Sequence, residues 1–259
     1  ISAKDLRAFY HAFYRPEFAT LVIVGNVDPA EMQRKIVATF ADWKPIGKAG
    51  TDYRGPVVKG DKPVTASFFD PAIPEIVMFD VARAYTAPAN SVAEERQKLL
   101  EVIAGTAVAN RFQPLVLKPD SALLGAQFAR EDLARNARSY ALYVVARDGK
   151  WRDAVTVGEQ ELRRASQFGF AANEIDEIKA NILSALTNAV AQKKGRQSAQ
   201  IAEGLISQSL ENAVPTSTEF DLTFYKAIES SITAESVTEA FRAAWPGQPT
   251  LVHVSAKAP

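Results

Sequence analysis

The sequence begins and ends with the same pattern of residues. Residues 1–6 (ISAKDL) align with residues 232–237 (ITAESV), and after a one-residue gap residues 20–24 (TLVIV) align with residues 250–254 (TLVHV). Each copy is typical of a capped helix followed by a turn and a buried strand. Because self-similarity at a long period marks duplicated units, we predict a duplicated α/β module. Only the tail of the first copy is expected in this chain.

Composition and charge exclude several classes of function. The 259 residues are 47% hydrophobic and 23% charged, which is ordinary for a globular protein. Thirty Lys and Arg residues balance thirty Asp and Glu residues, so no whole-chain field attracts nucleic acid or an anionic membrane, and we expect neither as a partner. The absence of cysteine excludes disulfides and thiolate chemistry, but it fits the cytosol and the periplasm equally. No apolar run approaches the roughly 20 residues of a membrane helix.

Two capped helices and a strand are expected in the first 45 residues. Ser2, with Asp5 three positions later, has the sequence of a capping box. Asp28 followed by Pro29 is a strong helix start. The apolar run 19–24 predicts a strand covered on both faces. Apolar residues at helical spacing predict the buried faces of the two helices, namely Leu6, Phe9, Tyr10 and Phe13 in the first and Met32, Ile36, Val37 and Phe40 in the second.

A boundary between modules is expected after these helices. Residues 44–63 are rich in glycine and proline and show little periodicity, which is typical of a linker. We therefore predict three parts: residues 1–45 as the tail of the preceding module, 46–61 as a linker, and 62–259 as the second module.

The second module is predicted to alternate strands and helices. Strands are expected at 64–69, 75–85, 122–129, 139–146 and, from the repeat, 250–254. Helices are expected at 91–112, 151–168, 173–194, 198–210, 218–228 and 234–244, with Gly169 and Gly195 as C-caps. This order predicts an α+β fold, a mostly antiparallel sheet with helices packed on one face.

The two histidines carry no metal motif. His11 lies among aromatic residues in the first helix, and His253 lies in the last strand. A zinc hydrolase site needs about three protein ligands and an open position for water. The sequence contains no helix with an H-E-x-x-H or H-x-x-E-H pattern. We therefore predict structural roles for both histidines.

The other candidate groups are also predicted to be structural. Carboxylate pairs at Glu94–Glu95, Glu159–Glu161 and Glu131–Asp132 are expected on the solvated surface, the last in a connection between strands. The basic residues Lys193, Lys194 and Arg196 are expected to cap a helix end rather than bind phosphate. Core packing is favoured over a nucleic-acid stacking platform for the aromatic residues Phe9, Tyr10, Phe13, Tyr14 and Phe18. Nucleotide-binding and serine-hydrolase motifs are absent from the sequence.

Several segments, in order and spacing, resemble a known family, the M16 (pitrilysin- and insulysin-like) zinc metallopeptidases. The resemblance lies in the non-catalytic domain that follows the catalytic one. It is carried by residues 6–10 (LRAFY), 14–16 (YRP), 19–29 (ATLVIVGNVDP), 40–43 (FADW), 109–112 (ANRF), 161–165 (ELRRA) and 168–170 (FGF).

The resemblance implies a non-catalytic role. Only the first module in this family carries H-x-x-E-H and a downstream Glu, and neither maps onto this sequence. We therefore assign no catalytic and no metal-binding residue, leave the binding residues unassigned, and expect no cofactor in this chain and no activity of the chain alone. The resemblance implies zinc in the parent's catalytic module. It also implies two partners. One is the catalytic module, on the same parent protein or on a partner subunit, which forms a peptide-holding chamber with this chain. The other is the peptide substrate. The resemblance to bacterial members of the family favours a periplasmic location over a cytoplasmic one.

Two alternatives remain open at this point. The chain belongs either to a zinc peptidase or to a catalytically dead M16-like binding or assembly subunit, and the two differ only upstream of residue 1. An unrelated α+β enzyme that uses Glu or Asp alone would need two carboxylates that converge in a pocket.

Overall fold

The computed structural model describes residues 1–52, 55, 57, 62–133, 136–211 and 213–259. The chain divides into two compact units. Unit 1 comprises Ile1–Arg54 and Ala191–Ser217, and unit 2 comprises Gly55–Val190 and Thr218–Pro259. Much of the predicted linker at 46–61 lies outside the described residues.

Pairs of strands are separated by helices, in the order expected from the sequence. The strands are β1 (Val64–Phe69), β2 (Glu75–Ala84), β3 (Leu123–Leu133), β4 (Ala137–Ala146) and β5 (Leu251–Ala256). The helices are α1 (Ala3–Phe13), α2 (Pro29–Phe40), α3 (Val92–Asn110), α4 (Gln113–Val116), α5 (Trp151–Phe168), α6 (Ala172–Ala191), α7 (Ser198–Leu210), α8 (Thr218–Ile228) and α9 (Ala234–Ala244). Short 3-10 turns occupy Pro16–Phe18, Lys193–Gly195 and Glu229–Ser231.

The helix starts in unit 1 confirm the predicted caps. The Ser2 hydroxyl accepts the Asp5 N–H at 3.2 Å, and the Asp5 carboxylate accepts the Ser2 N–H at 2.8 Å. These reciprocal bonds form a complete capping box. In α2 the Asp28 carboxylate accepts the Glu31 N–H at 2.7 Å, with Pro29 as the first helical residue.

Two expectations for unit 1 are wrong. Residues 19–24 do not form a strand, because a strand needs a hydrogen-bonded neighbour and these residues pair with no strand in the described ranges. The apolar faces of the helices are not buried either. In α1 the stripe Leu6, Phe9, Tyr10 and Phe13 is 39–61% exposed, and in α2 Val37 and Phe40 are 57% and 45% exposed. An amphipathic helix buries its stripe only where another layer covers it.

Unit 2 is built on a single mixed sheet. Its described strands lie in the order β1-β5-β2-β4-β3, and only the β1–β5 pair is parallel. Phe79 of β2 registers with Leu142 on one side and with Val252 on the other. The mostly antiparallel sheet and the helices that pack on it confirm the predicted fold class.

Helices α3, α5 and α9 cover one face of this sheet closely. A Cβ on Gly158 of α5 would meet the Phe79 ring at 2.5 Å, and a Cβ on Gly105 of α3 would meet the Phe128 ring at 2.9 Å. The Phe128 ring also lies 5.9 Å from that of Phe241 in α9, measured between centroids. Small residues therefore set the close approach of helix to sheet.

Two predicted details at helix ends differ in outcome. Gly169 ends α5 with a φ of 69°, as a C-cap glycine does. Gly195 instead lies within the 3-10 turn Lys193–Gly195, because α6 already ends at Ala191. The basic residues Lys193 and Lys194 lie in this turn, near the helix end where they were predicted.

Candidate functional site: the far face of the sheet

The sheet presents one side to the helices and another away from them. Because successive side chains of a strand point to opposite faces, Phe79 and Leu142 lie under the helices while Asp80 and Ser139 point the other way. We call this second side the far face. Its side chains include Met78, Asp80, Gln127, Glu131, Ser139, Tyr143 and His253.

A buried carboxylate lies within the far face. Asp80 is 9% exposed, and its carboxylate accepts a short hydrogen bond from the hydroxyl of Ser139, which is 7% exposed. Glu131 of β3 registers with Ser139 of β4 and is exposed. Burial raises the pKa of Asp80, the Ser139 hydrogen bond lowers it, and the charge of Glu131 raises it further. The Asp80 carboxylate is therefore bonded to one buried hydroxyl and lies within reach of the charge of Glu131.

Beside this group, larger side chains form a row across four strands. Met78 registers with Tyr143 on one side and with His253 on the other, and Tyr143 registers in turn with Gln127. Met78, Tyr143 and His253 are half-buried, whereas Gln127 is exposed. Burial raises the pKa of Tyr143, and the charges of Glu131 and Asp80 act in the same direction. This row combines apolar contact area with hydrogen-bonding groups.

The far face combines apolar side chains with hydrogen-bonding ones. Within the described ranges of the chain, no three His, Asp or Glu side chains are grouped so that they could hold a metal ion. The Asp80 carboxylate already has a hydroxyl partner, and the neighbouring Tyr143 is a phenol, which carries its proton at neutral pH. A mixed apolar and polar surface of this kind is suited to contact with a polypeptide.

The histidines lie in separate surroundings. His11, in α1 of unit 1, is half-buried, and its ring lies 5.8 Å from that of Tyr10 in an edge contact. His253, in β5 of unit 2, belongs to the far face. The structure therefore gives neither histidine the surroundings of a zinc ligand within the described residues.

The carboxylate pairs have mixed outcomes. Glu159 is a surface residue that pairs with Arg163, as expected, but Glu161 has a side chain only 14% exposed. Glu131 and Asp132 lie inside β3 rather than in a connection, because that strand extends to Leu133. Neighbouring strand residues point to opposite faces, so this pair is divided between the two sides of the sheet.

Asp132 takes part in a network on the helix side. The Arg138 guanidinium donates to Asp132 at 2.6 and 3.0 Å, and Arg130 donates to it at 3.2 Å. The pKa of Asp132 is lowered, since these bonds and charges outweigh the opposing effect of its burial. Asp132 is therefore a structural residue.

Asp80 and Glu75 were not among the residues predicted from the sequence. Asp80 and Glu75 are charged residues at the middle and the start of an apolar strand, and this contrast is the signal that marks them. Glu75 is 2% exposed and accepts the N–H groups of Gly149, Lys150 and Trp151 at 2.9–3.2 Å, so it caps α5 from a distant strand.

Known proteins with similar sequences include peptidases. The sequence profile of the "Peptidase M16 inactive domain" family matches residues 1–105. The curated Escherichia coli (strain K12) protein named "Probable zinc protease PqqL" is 26% identical over 249 residues, which cover 93% of this chain and 26% of PqqL. The first 105 residues of the chain are therefore similar to the inactive domain of M16 peptidases. The chain spans about a quarter of the length of PqqL.

Solved M16 structures share the fold along almost the whole chain. The first half of the periplasmic protease PqqL from Escherichia coli superposes with a TM-score of 0.81 at 22% identity, over 99% of this chain and 55% of that one. The complete periplasmic protease PqqL gives 0.82 at 21% identity, over 99% of this chain and 28% of that one. Among the described residues, no helix is both long and apolar enough to cross a membrane.

Two segments that carry the M16 resemblance are arginine clamps. In the Tyr14-Arg15-Pro16 segment, Arg15 is 6% exposed and donates to the carbonyls of His11, Ile46 and Gly47 at 3.1–3.2 Å. In the Asn110-Arg111 segment, Arg111 donates to Glu174 at 2.7 and 3.0 Å and to the Gly169 carbonyl at 2.7 Å. Arg15 therefore joins the end of α1 to residues 46–47, and Arg111 joins the end of α3 to the end of α5 and the first turn of α6.

Proposed function

We propose that this chain is the non-catalytic wall of a peptide-holding chamber in an M16 zinc peptidase. The catalytic module lies elsewhere on the parent protein and carries the zinc and the general base. The match to the inactive domain of the family carries this proposal. The far face supports it, because it offers a broad mixed surface on one side of a sheet whose other side is closed by helices.

The parent protein is proposed to act as a zinc metalloendopeptidase. Zinc is proposed in its catalytic module, since the curated relative is named a probable zinc protease. A periplasmic location is proposed from the solved PqqL structures, which are described as those of a periplasmic protease. Substrate peptide and the catalytic module are the proposed partners of this chain.

The first test measures zinc content and peptide cleavage. The full-length parent is expected to bind stoichiometric zinc and to cleave unstructured peptides, while the purified 259-residue chain does neither. Tight zinc binding by this chain alone, or peptidase activity of this chain alone, would contradict the proposal. A parent with this chain but without zinc or activity would point instead to a binding or assembly subunit.

The second test examines the far face in the full-length parent. Tyr143→Ala removes a large side chain from the proposed chamber wall, and we expect KM to rise roughly fivefold, about 1 kcal/mol, with kcat little changed. Phe168→Ala is the matched control, because Phe168 is an aromatic residue 80% exposed at the end of α5. Equal effects of the two substitutions would count against a role for the far face.

A further inference from the structure

Strand β1 leaves one edge of the sheet open. It pairs with β5 on one side and with no other strand in the described ranges. The Val64 and Asp70 N–H groups donate to carbonyls at or next to the two ends of β5, at 2.9 and 3.0 Å. Backbone groups of successive strand residues alternate between the two sides of a strand. The N–H and C=O groups of Thr65, Ser67 and Phe69 therefore point away from the sheet.

The open edge of β1 lacks the features that usually protect an edge strand. Charged residues, proline or a bulge at a sheet edge prevent pairing with another chain. The β1 segment VTASFF has a regular register and none of these features, and all 6 of its residues are exposed. The other edge strand, β3, carries Arg130, Glu131 and Asp132 and a register shift near its start. The β1 edge is therefore available to a further strand.

A groove lies along β1 on the helix side of the sheet. Thr65, Ser67 and Phe69 face this side, since they register with the β5 residues that lie under the helices. The groove has a volume of about 300 Å³, and α5 contributes Trp151 and Val155 to its wall. The Phe69 and Trp151 rings lie 6.4 Å apart between centroids. The groove therefore offers apolar contact area directly beside the open backbone groups.

The charge at the rim of the groove is positive. The Arg152 guanidinium carbon lies 4.1 Å from the centre of the Trp151 ring, and Arg152 has no acidic partner in the part of the chain that the structure describes. Asp153 beside it is paired with Lys150 at 3.7 Å. Lys62, which precedes β1, is exposed. A ligand that lies in the groove is therefore expected to carry acidic side chains.

The far face reaches the same edge of the sheet. Ala66 of β1 registers with His253, the last member of the row that runs from Gln127 through Tyr143 and Met78. A strand added to β1 places alternate side chains beside Ala66 in this row and the others in the groove. The open edge therefore continues the surface proposed as the chamber wall.

We propose that the open edge of β1 binds an extended, acidic polypeptide segment as an additional strand. Main-chain hydrogen bonds to β1 hold the segment. On the groove side, apolar side chains of the segment lie beside Trp151 and acidic ones lie near Arg152. The proposal rests on the proposed function only in taking this segment to be part of a peptidase substrate.

Peptide binding to the purified 259-residue chain tests the site. The probe is a capped peptide of two Leu-Ser-Glu-Ser repeats, which places leucine and glutamate on the same side of a strand. NMR titration measures its Kd and shows which amide signals move. We expect the β1 amides to move, and we expect a peptide with lysine in place of glutamate to bind roughly fivefold more weakly. Failure of the glutamate peptide to bind, or equal Kd values for the two peptides, would overturn the inference.

Substitutions in β1 test the main-chain bonds. Ser67→Pro removes an outward N–H, and proline is tolerated in an edge strand where that group faces solvent. We expect the Kd of the glutamate peptide to rise about tenfold in this variant. Ser67→Ala is the matched control, because it keeps the N–H, and its Kd should stay within about twofold of the original. Equal Kd values for Ser67→Pro and Ser67→Ala would overturn the inference.

A substitution at the rim tests the charge. Arg152→Glu should reverse the preference between the glutamate and lysine peptides. Arg152 is exposed, so this variant tests the site even if Ser67→Pro destabilises the sheet. An unchanged preference would overturn the inference.

A second copy of the chain is the competing occupant of this edge. A dimer in analytical ultracentrifugation that Ser67→Pro converts to a monomer would overturn the inference. If the chain binds the glutamate peptide but the parent has neither zinc nor peptidase activity, the strand site stands and the proposed function fails. An active parent whose chain does not bind the peptide gives the reverse result.

Discussion

Helices α1 and α9 begin in the same way and end in different surroundings. Ser2 with Asp5 and Thr233 with Ser236 form equivalent capping boxes at their N-termini. Yet α9 buries its apolar face and α1 exposes it. The comparison shows that local signals start a helix whether or not its face is covered, because a cap needs only its own neighbouring residues. Burial requires a second layer.

The largest expected difference is between two matched aromatic residues. Phe241→Ala removes a ring that is 1% exposed and should cost about 3–5 kcal/mol of unfolding free energy. Tyr10→Ala, at the equivalent position in α1 with 53% exposure, should stay within about 0.5 kcal/mol. Urea unfolding monitored by Trp fluorescence in a Trp43→Phe background follows unit 2 through Trp151 and Trp245, and amide exchange in α1 measures the effect of Tyr10→Ala in unit 1. A similar loss for both variants would show that the α1 face is covered in solution.

The next comparison is between two helix caps. Glu75 caps α5 from far away in the sequence, whereas Asp28 caps α2 from the adjacent position. Glu75→Ala leaves three N–H groups at the start of α5 without their buried carboxylate, and we expect a loss of about 2–3 kcal/mol in unit 2. Asp28→Ala removes a local cap and should destabilise α2 by about 1 kcal/mol without shifting the unit 2 transition. The same unfolding assay, with helical CD for α2, separates the effects. A small effect of Glu75→Ala would mean that water replaces the carboxylate.

A pH series compares the two arginine clamps. The hydrogen bonds from Arg111 lower the pKa of Glu174 below its ordinary value of 4.5. A lowered pKa adds stability that is fully present above pH 4.5 and is lost as the pH falls through the folded-state pKa. At pH 7, Glu174→Gln should cost roughly 1.5–3 kcal/mol. The difference in unfolding free energy between Glu174→Gln and the unsubstituted protein should become smaller as the pH falls.

Glu17 is the control for this series, because it pairs with Arg15 in unit 1 and its side chain is 42% exposed. Glu17→Gln should leave the unit 2 transition unchanged at every pH. If the difference in unfolding free energy between Glu174→Gln and the unsubstituted protein stays constant across the acid range, the ionised form of Glu174 is not the stabilising species.

The smallest difference is between the two capping boxes. Thr233→Ala should lower the stability of unit 2 by about 1 kcal/mol, since α9 belongs to its core. Ser2→Ala removes the same bond from α1 and should reduce only the helicity of that segment. Amide exchange in α1 and urea unfolding of unit 2 measure the two effects. If Ser2→Ala shifts the unit 2 transition, the two units unfold together.

Most of the fold could be predicted from the sequence because its signals are local. Helices predicted at 151–168, 198–210 and 234–244 have those bounds in the structure, since apolar periodicity, the Gly169 stop of α5 and the Thr233 cap of α9 are short-range signals. The far face was not predicted. Asp80, Ser139 and Glu131 belong to three strands, and their approach depends on register, which no single segment of the sequence contains.

The sequence by itself determined where most helices lie, the α+β class and the M16 resemblance, since these follow from short-range patterns. Tertiary structure alone decided which apolar faces are buried. Residues 20–24 and 250–254 are nearly identical in sequence, yet in the described structure only the second segment is a strand. A strand is completed by the backbone groups of its neighbours and an apolar stripe by the layer above it, and both lie outside the segment itself.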